Sequence, residues 1–184
     1  MEEIEVPIEK IQEDIHEHAH EDLAHGSPHA PLSGKVALTS AILAVLAAIS
    51  ALLAGHHSNE AMIEQIKASD HWSYYQAKGI KAAILSSKAD LLVELGKPKD
   101  EKIEAKLESY KKDQEEISEK AKERESESAH HLAVHQVFAR AVTLFQVAIT
   151  IAAIAILTHR KRFWYVSLGF GALGAFSLIH GLLT

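Results

Sequence analysis

Histidines and carboxylates are the residues in this chain best suited to chemistry. It holds 13 His and 25 Asp and Glu among 184 residues, and no cysteine, which excludes disulfides, thiolate metal sites and thiol catalysis. One grouping lies near the start: His16, His18, His20, His25 and His29, interleaved with Glu17, Glu21 and Asp22. On a helix His16 and His20 share a face, as do His18 and Asp22. Imidazole with carboxylate at i, i+4 can chelate zinc, nickel or copper. Such a site is shallow and short of ligands, so a solvated polar face that takes up metal incidentally is favoured over a dedicated one.

A second grouping flanks two apolar runs. His56, His57, Glu60 and Glu64 follow the first run; His130, His131, His135 and Arg140 lead into the second. A chain that doubles back near residue 98 would bring them together, with Glu64 and Lys67 facing the region of His131. His131 and His135, four apart, could hold a divalent metal or alter packing on protonation. Histidines paired with carboxylates in an interfacial layer are favoured over a metal site, and a metal site over proton sensing. Arg140 sits about one turn inside its apolar run and must snorkel or pair, with Glu60 the expected partner. There is no nucleotide-binding loop, nucleophile elbow or zinc-protease helix motif, so no enzyme is expected.

The elements that would position these residues are long helices. Val36–Ala54, Ala141–Leu157 and Phe163–Thr184 are uncharged and apolar, and a bilayer core of roughly 30 Å needs about 20 such residues as a helix. The expected fold is therefore all-α: three transmembrane spans, with a long antiparallel helical hairpin outside the membrane between the first and second. Residues 1–31 read as an acidic, His-rich amphipathic tail and linker. In it Ile4, Ile8, Ile11, Ile15, Ala19 and Leu23 recur at helical spacing, with a break over 26–31. The segments that follow are a first span over 35–55, a hairpin over 56–131 turning at 96–100, a second span over 132–157, a basic loop over 158–162 and a third span over 163–184.

In the hairpin, Ile63, Ile66, Ala77, Ile80, Ile84 and Leu91 mark an ascending apolar stripe, taken as the internal seam. Gly96, Pro98 and Asp100 supply a helix stop and a new N-cap. The returning helix repeats at three and four residues from Ile103 through Leu107, Tyr110, Gln114, Ile117, Ala121, Arg124, Ser128, His131, His135, Phe138, Val142 and Phe145 to Ile149. That pattern predicts one helix from Asp100 to Leu157, about 85 Å long. A lone two-helix hairpin buries little apolar area, so hairpins from several copies are expected to pack together.

Small residues mark expected helix contacts. Ala37, Ala41, Ala44, Ala48, Ala51 and Gly55 form a stripe on the first span, and Ser167, Gly171 and Ala175 a small-xxx-small face on the third. With Trp72 and Tyr75 on the hairpin they are the candidate oligomer contacts. His159-Arg160-Lys161-Arg162 is the best orientation marker, placing the loop and the N-terminus in the cytoplasm and the hairpin in the periplasm. The nine carboxylates against one Lys in residues 1–34 make nucleic acid an unlikely partner.

The segments NEAMIEQIKASDHWSYYQAKGIKAA (59–83) and ARAVTLFQ (139–146) resemble a bacterial three-span membrane-protein family, a domain of unknown function. The resemblance covers nearly the whole chain and implies a bacterial membrane protein with this three-span plan; the inner membrane is the expected location. It brings no activity and no catalytic residues. The expected function is a non-enzymatic homo-oligomeric scaffold presenting a coiled-coil stalk. The alternative is an oligomeric cation channel or transporter for divalent metal, with the histidine and carboxylate layer at its mouth.

Overall fold

The structure, a computed structural model, describes residues 8–26, 30–98 and 100–184. The positions of Ile4, His29 and Lys99 and the side chain of Leu23 lie outside what is described. The fold is all-α, with α1 (Ile8–Ala24), α2 (Ala30–Glu94), α3 (Glu101–Thr158) and α4 (Lys161–Leu183). Three of these, α2, α3 and α4, are long and apolar enough to cross a membrane. The chain forms two compact units: residues up to His57 with Ala133–Thr184, and Ser58–Leu132.

The first unit is built on apolar faces turned both inward and outward. Phe138, Ala141, Phe145, Ala148, Ile149 and Ala152 of α3 are buried. On α2, Leu38, Ile42, Val45, Ile49 and Leu52 are exposed at three- and four-residue spacing, Leu38 to 64% and Leu52 to 75%. On α4, Leu173, Phe176, Ile179 and Leu182 are exposed as well. An uninterrupted apolar exterior on helices of this length fits lipid rather than water.

Polar groups inside this unit are satisfied locally, as hydrocarbon requires. Ser40 donates to the Ala37 carbonyl at 2.9 Å and Ser50 to Leu46 at 2.8 Å. Ser167 of α4 donates to Ala148 of α3 at 2.7 Å, and Ser177 to Val137 at 3.1 Å. The Trp164 indole N–H donates to Thr39 Oγ1 at 3.3 Å, tying α4 to α2.

The amphipathic tail helix α1 joins this unit. Ile15 and Ala19 are buried in the same core as Val36, Ile149 and Ile156, and Asp22 accepts a hydrogen bond from Ser33. The 3–4 spacing of Ile11, Ile15 and Ala19 produces the single apolar stripe that packs there. α2 begins at Ala30, so Pro31 falls within its first turn rather than in a break; Pro is tolerated there because the first-turn N–H groups have no intrahelical acceptor.

The second unit is an antiparallel helical hairpin. α2 ends in a Schellman motif, with Gly96 at φ 69°. Gly96 N–H donates to Val93 and Lys97 N–H to Leu92, which satisfies carbonyls left over by the helix end. Asp100 caps α3, its carboxylate accepting from Lys102 N–H at 2.9 Å. On α3 the expected seam holds: Ile103, Ile117, Ala121 and Ser128 are buried, and Leu107, Tyr110, Gln114, Arg124 and His131 half-buried.

On α2 the seam differs from expectation. The face towards α3 carries buried Ala61, Glu64 and Ala68, then half-buried His71, Tyr75, Lys78, Ala82, Leu85, Ala89 and Leu92. Ile63, Ile66, Ile80, Ile84 and Leu91 are exposed instead, Ile84 to 66%. The segment carries two stripes at 3–4 spacing, and the closely packed one is filled with Ala and with long polar side chains that reach across. The register also differs. Ser128 Oγ donates to the Ala61 carbonyl, Arg124 meets Glu64, and Gln114 meets the backbone of Tyr75. The expected pairing is thus displaced by about one heptad, because the connection after Glu94 folds back along the hairpin before α3 begins.

Candidate functional site

The polar seam of the hairpin is a built electrostatic network. Glu64, 7% exposed, accepts from Lys67 Nζ at 2.7 Å and from Arg124 Nη1 at 3.2 Å. Arg124 also donates to Glu127 at 2.6 Å. The Lys67 hydrogen bond, with that of Arg124, holds the Glu64 carboxyl below its ordinary value against the opposing effect of burial. Further along, Lys78 Nζ donates to Asp113 Oδ2 at 2.7 Å and sits 5.3 Å and 5.2 Å from the centroids of the Tyr74 and Tyr110 rings. The Asp113 hydrogen bond raises the Lys78 pKa. Beside it, Gly79 leaves room for the Gln114 amide, whose Nε2 would stand 3.0 Å from an added Cβ. Trp72 Nε1 donates to Glu125 at 2.8 Å, and its ring meets Tyr75 edge-on.

A lowered carboxylate pKa favours folding above the ordinary carboxylate range, and the gain is lost as pH falls through the depressed value. The hairpin is therefore expected to loosen as pH falls below the ordinary carboxylate range. Glu64→Gln should weaken it at pH 7, and the gap between variant and parent should close on acidification. Circular dichroism melts from pH 7 into the acid range measure this; a gap that stays unchanged after the parent hairpin has lost its acid-sensitive stability would show that Glu64 is not the titrating group.

Other expected site residues fall in the first unit. His135 Nδ1 donates to the Ala54 carbonyl at 2.8 Å, because the carbonyl can only accept. His57 stacks on Phe138 with centroids 5.6 Å apart, and His56 meets His57 edge-on. Arg140 is exposed, and its Nε donates to the Gln136 carbonyl on its own helix. Glu60, its expected partner, is half-buried in the hairpin unit, as is His131, whose ring lies 6.0 Å from that of His130. Among the described residues, no three His, Asp or Glu side chains are grouped so as to hold a metal ion. His16, His18 and His20 are exposed on α1, with His18 Nδ1 3.6 Å from Glu21.

The small-residue face of α4 is used within the chain, that of α2 only in part. An added Cβ at Gly171 would stand 2.7 Å from Leu43 Cδ2, one at Gly174 2.8 Å from Phe145 Cε1, and one at Gly181 2.8 Å from Phe138 Cε1. Ser167 and Gly171, expected to meet another copy, are buried against α2 and α3, and Ala175 is half-buried. On α2, Ala37 is buried and Ala41 half-buried, while Ala44, Ala48 and Ala51 line a groove shared with Gln12 of α1 and Gln146 of α3; Gly55 is exposed. Trp72 and Tyr75 are half-buried towards α3.

Residues 32–184 match the family described as domain of unknown function (DUF4337). The chain belongs to this family. The DUF4337 region takes in α2, α3 and α4, and thus both the hairpin network and the three apolar helices. Neither a curated protein nor a solved structure matches the chain.

The sequence reading missed three features of this DUF4337 protein. The docking of α1 onto the apolar unit was legible as a stripe but not as a partner. The Lys78–Asp113 and Glu64–Arg124 pairs join residues far apart in sequence, and only the register could have identified them. The Ser128–Ala61 bond was hidden for the same reason.

Proposed function

We propose that the protein is a non-enzymatic, homo-oligomeric scaffold of a bacterial inner membrane, anchored by three spans and presenting the 58–132 hairpin as a stalk. One observation carries this reading: Ile63, Ile66, Ile80, Ile84 and Leu91 stay exposed at coiled-coil spacing after the hairpin has formed its own seam. Two groups that a transport layer would need are already engaged. Glu64 is held by Lys67 and Arg124, and His135 by the Ala54 carbonyl. The basic loop 159–162 supports a cytoplasmic N-terminus and a periplasmic hairpin. The mass of the complex in mild detergent tests the scaffold: a multiple of 20.2 kDa is expected, with or without added zinc. A monomer would end this reading.

A second reading, a cation passage between copies, draws on α1. Gln12 shares its groove with Ala44, Ala47 and Ala48, near the middle of the first span. Glu13, Asp14, His16 and Glu17 on the other face of α1 are exposed. An acidic side chain facing lipid costs about 2.5–3.5 kcal/mol on insertion scales, so that face needs water or another copy. The absence of cysteine makes the test direct. On this reading Glu17→Cys reacts with a membrane-impermeant thiol reagent in liposomes while Ile42→Cys does not. Equal protection of both would remove the passage.

A further inference from the structure

A recess of about 230 Å3 opens where α2 begins and α3 turns into α4. Lys35 lies on one side and Lys161 on the other; His159, Trp164 and Tyr165 complete the rim, and Leu32 forms part of the apolar wall. Both lysines are exposed, and among the described residues neither makes an ion pair. No carboxylate lines the recess among the described residues, and Asp22 accepts from Ser33, two residues before Lys35 and so on the opposite side of α2. α4 starts without a side-chain cap at Arg160; the Phe163 N–H donates to the Arg160 carbonyl at 3.2 Å, which leaves the N–H groups of Lys161 and Arg162 for an anion. The Trp164 ring is fixed by its bond to Thr39.

We propose that this recess binds the phosphate headgroup of an anionic phospholipid. Two ammonium groups and uncapped helix amides fit a phosphate, while Trp and Tyr at the rim fit the headgroup level of a bilayer. A lipid is favoured over free phosphate because apolar surface continues from the recess. Leu38 and Ile42 on α2 and Val166 on α4 are exposed along the spans and can lie against acyl chains.

The purified full-length protein in uncharged detergent is titrated with short-chain phosphatidylglycerol, short-chain phosphatidylcholine or inorganic phosphate, and its thermal midpoint is read. Phosphatidylglycerol should raise the midpoint, and phosphatidylcholine and inorganic phosphate should not. Lys35→Gln and Lys161→Gln, both at exposed positions, should keep the lipid-free midpoint, and each should weaken the phosphatidylglycerol effect about tenfold. Lys111→Gln, far along the hairpin, should leave it unchanged. Undiminished phosphatidylglycerol binding in both recess variants would overturn the site. An equal response to inorganic phosphate would overturn the lipid assignment.

Discussion

If the proposed oligomer forms through the exposed α2 stripe, replacing Ile80 and Ile84 together with Glu is expected to dissociate it while leaving each hairpin folded. Both side chains are mostly exposed, to 62% and 66%, so the hairpin's own seam loses little. Fully burying an Ile or Leu is worth about 1.5–3 kcal/mol. The five are 42–66% exposed, so about half of that remains to be gained at each, which over two stalks is of the same order as an association cost of about 4–15 kcal/mol. Losing two per copy and burying charges in their place should weaken association at least about 100-fold. Copies held in one membrane stand parallel, so α2 stripes would meet in register and Asp70, which continues the 3–4 spacing between Ile66 and Ser73, would face its own copy. Asp70→Asn should therefore tighten the complex, since a buried Asn pair is tolerated in parallel dimers where two carboxylates repel. Analytical ultracentrifugation in detergent reads both shifts. If the double Glu variant sediments as the parent does, the exposed stripe is not the interface.

The hairpin turn and the two faces of α2 show what the sequence revealed and what it hid. The turn was legible almost residue by residue, because Gly96 and Asp100 each do something the backbone demands locally: a positive φ and an acceptor for a free N–H. The α3 seam was legible because one stripe alone along that helix is apolar enough to pack. On α2 the exposed stripe holds the larger side chains, Ile80 and Ile84, and the internal one holds Ala61, Ala68 and Ala82. Hydrophobic size therefore pointed to the wrong face. Small residues let two helices close up, and Glu64 and Lys78 can lie between them because Arg124 and Asp113 answer their charges. That compensation depends on the axial register of the two helices, which no local pattern encodes. The same holds for α1: Ile15 and Ala19 announce an apolar face, but the identity of the surface it covers is a tertiary fact.

The histidines follow the same division. Their spacing on α3 placed His131 and His135 on the inner face, and both are half-buried. Their ligands were the unreadable part. His135 gives its Nδ1 proton to a backbone carbonyl on α2, and a carbonyl carries no side-chain signature.

Gly174→Ala is expected to destabilise the three-helix unit by about 1–3 kcal/mol, through overpacking. The new Cβ would stand 2.8 Å from Cε1 and 2.9 Å from Cδ1 of Phe145. That ring is fully buried, so it has no free space into which to swing. α4 would have to move away from α3, which would also stretch the Ser167–Ala148 and Ser177–Val137 hydrogen bonds. Between helices in lipid, close packing and such bonds are the main attractive terms, so the loss is not made up elsewhere. Gly169→Ala is the matched control: nothing lies within 4 Å of its added Cβ, and Ala is the better helix former. It should leave the unit as stable as before or slightly more so. Phe145→Leu removes the obstructing edge. Combined with Gly174→Ala it should cost less than the sum of the two single changes, the coupling expected of side chains in direct contact. Thermal unfolding in detergent, followed through the Trp164 environment, reads all four variants. Strict additivity, or equal effects at positions 169 and 174, would mean that α4 does not approach α3 through its glycine face.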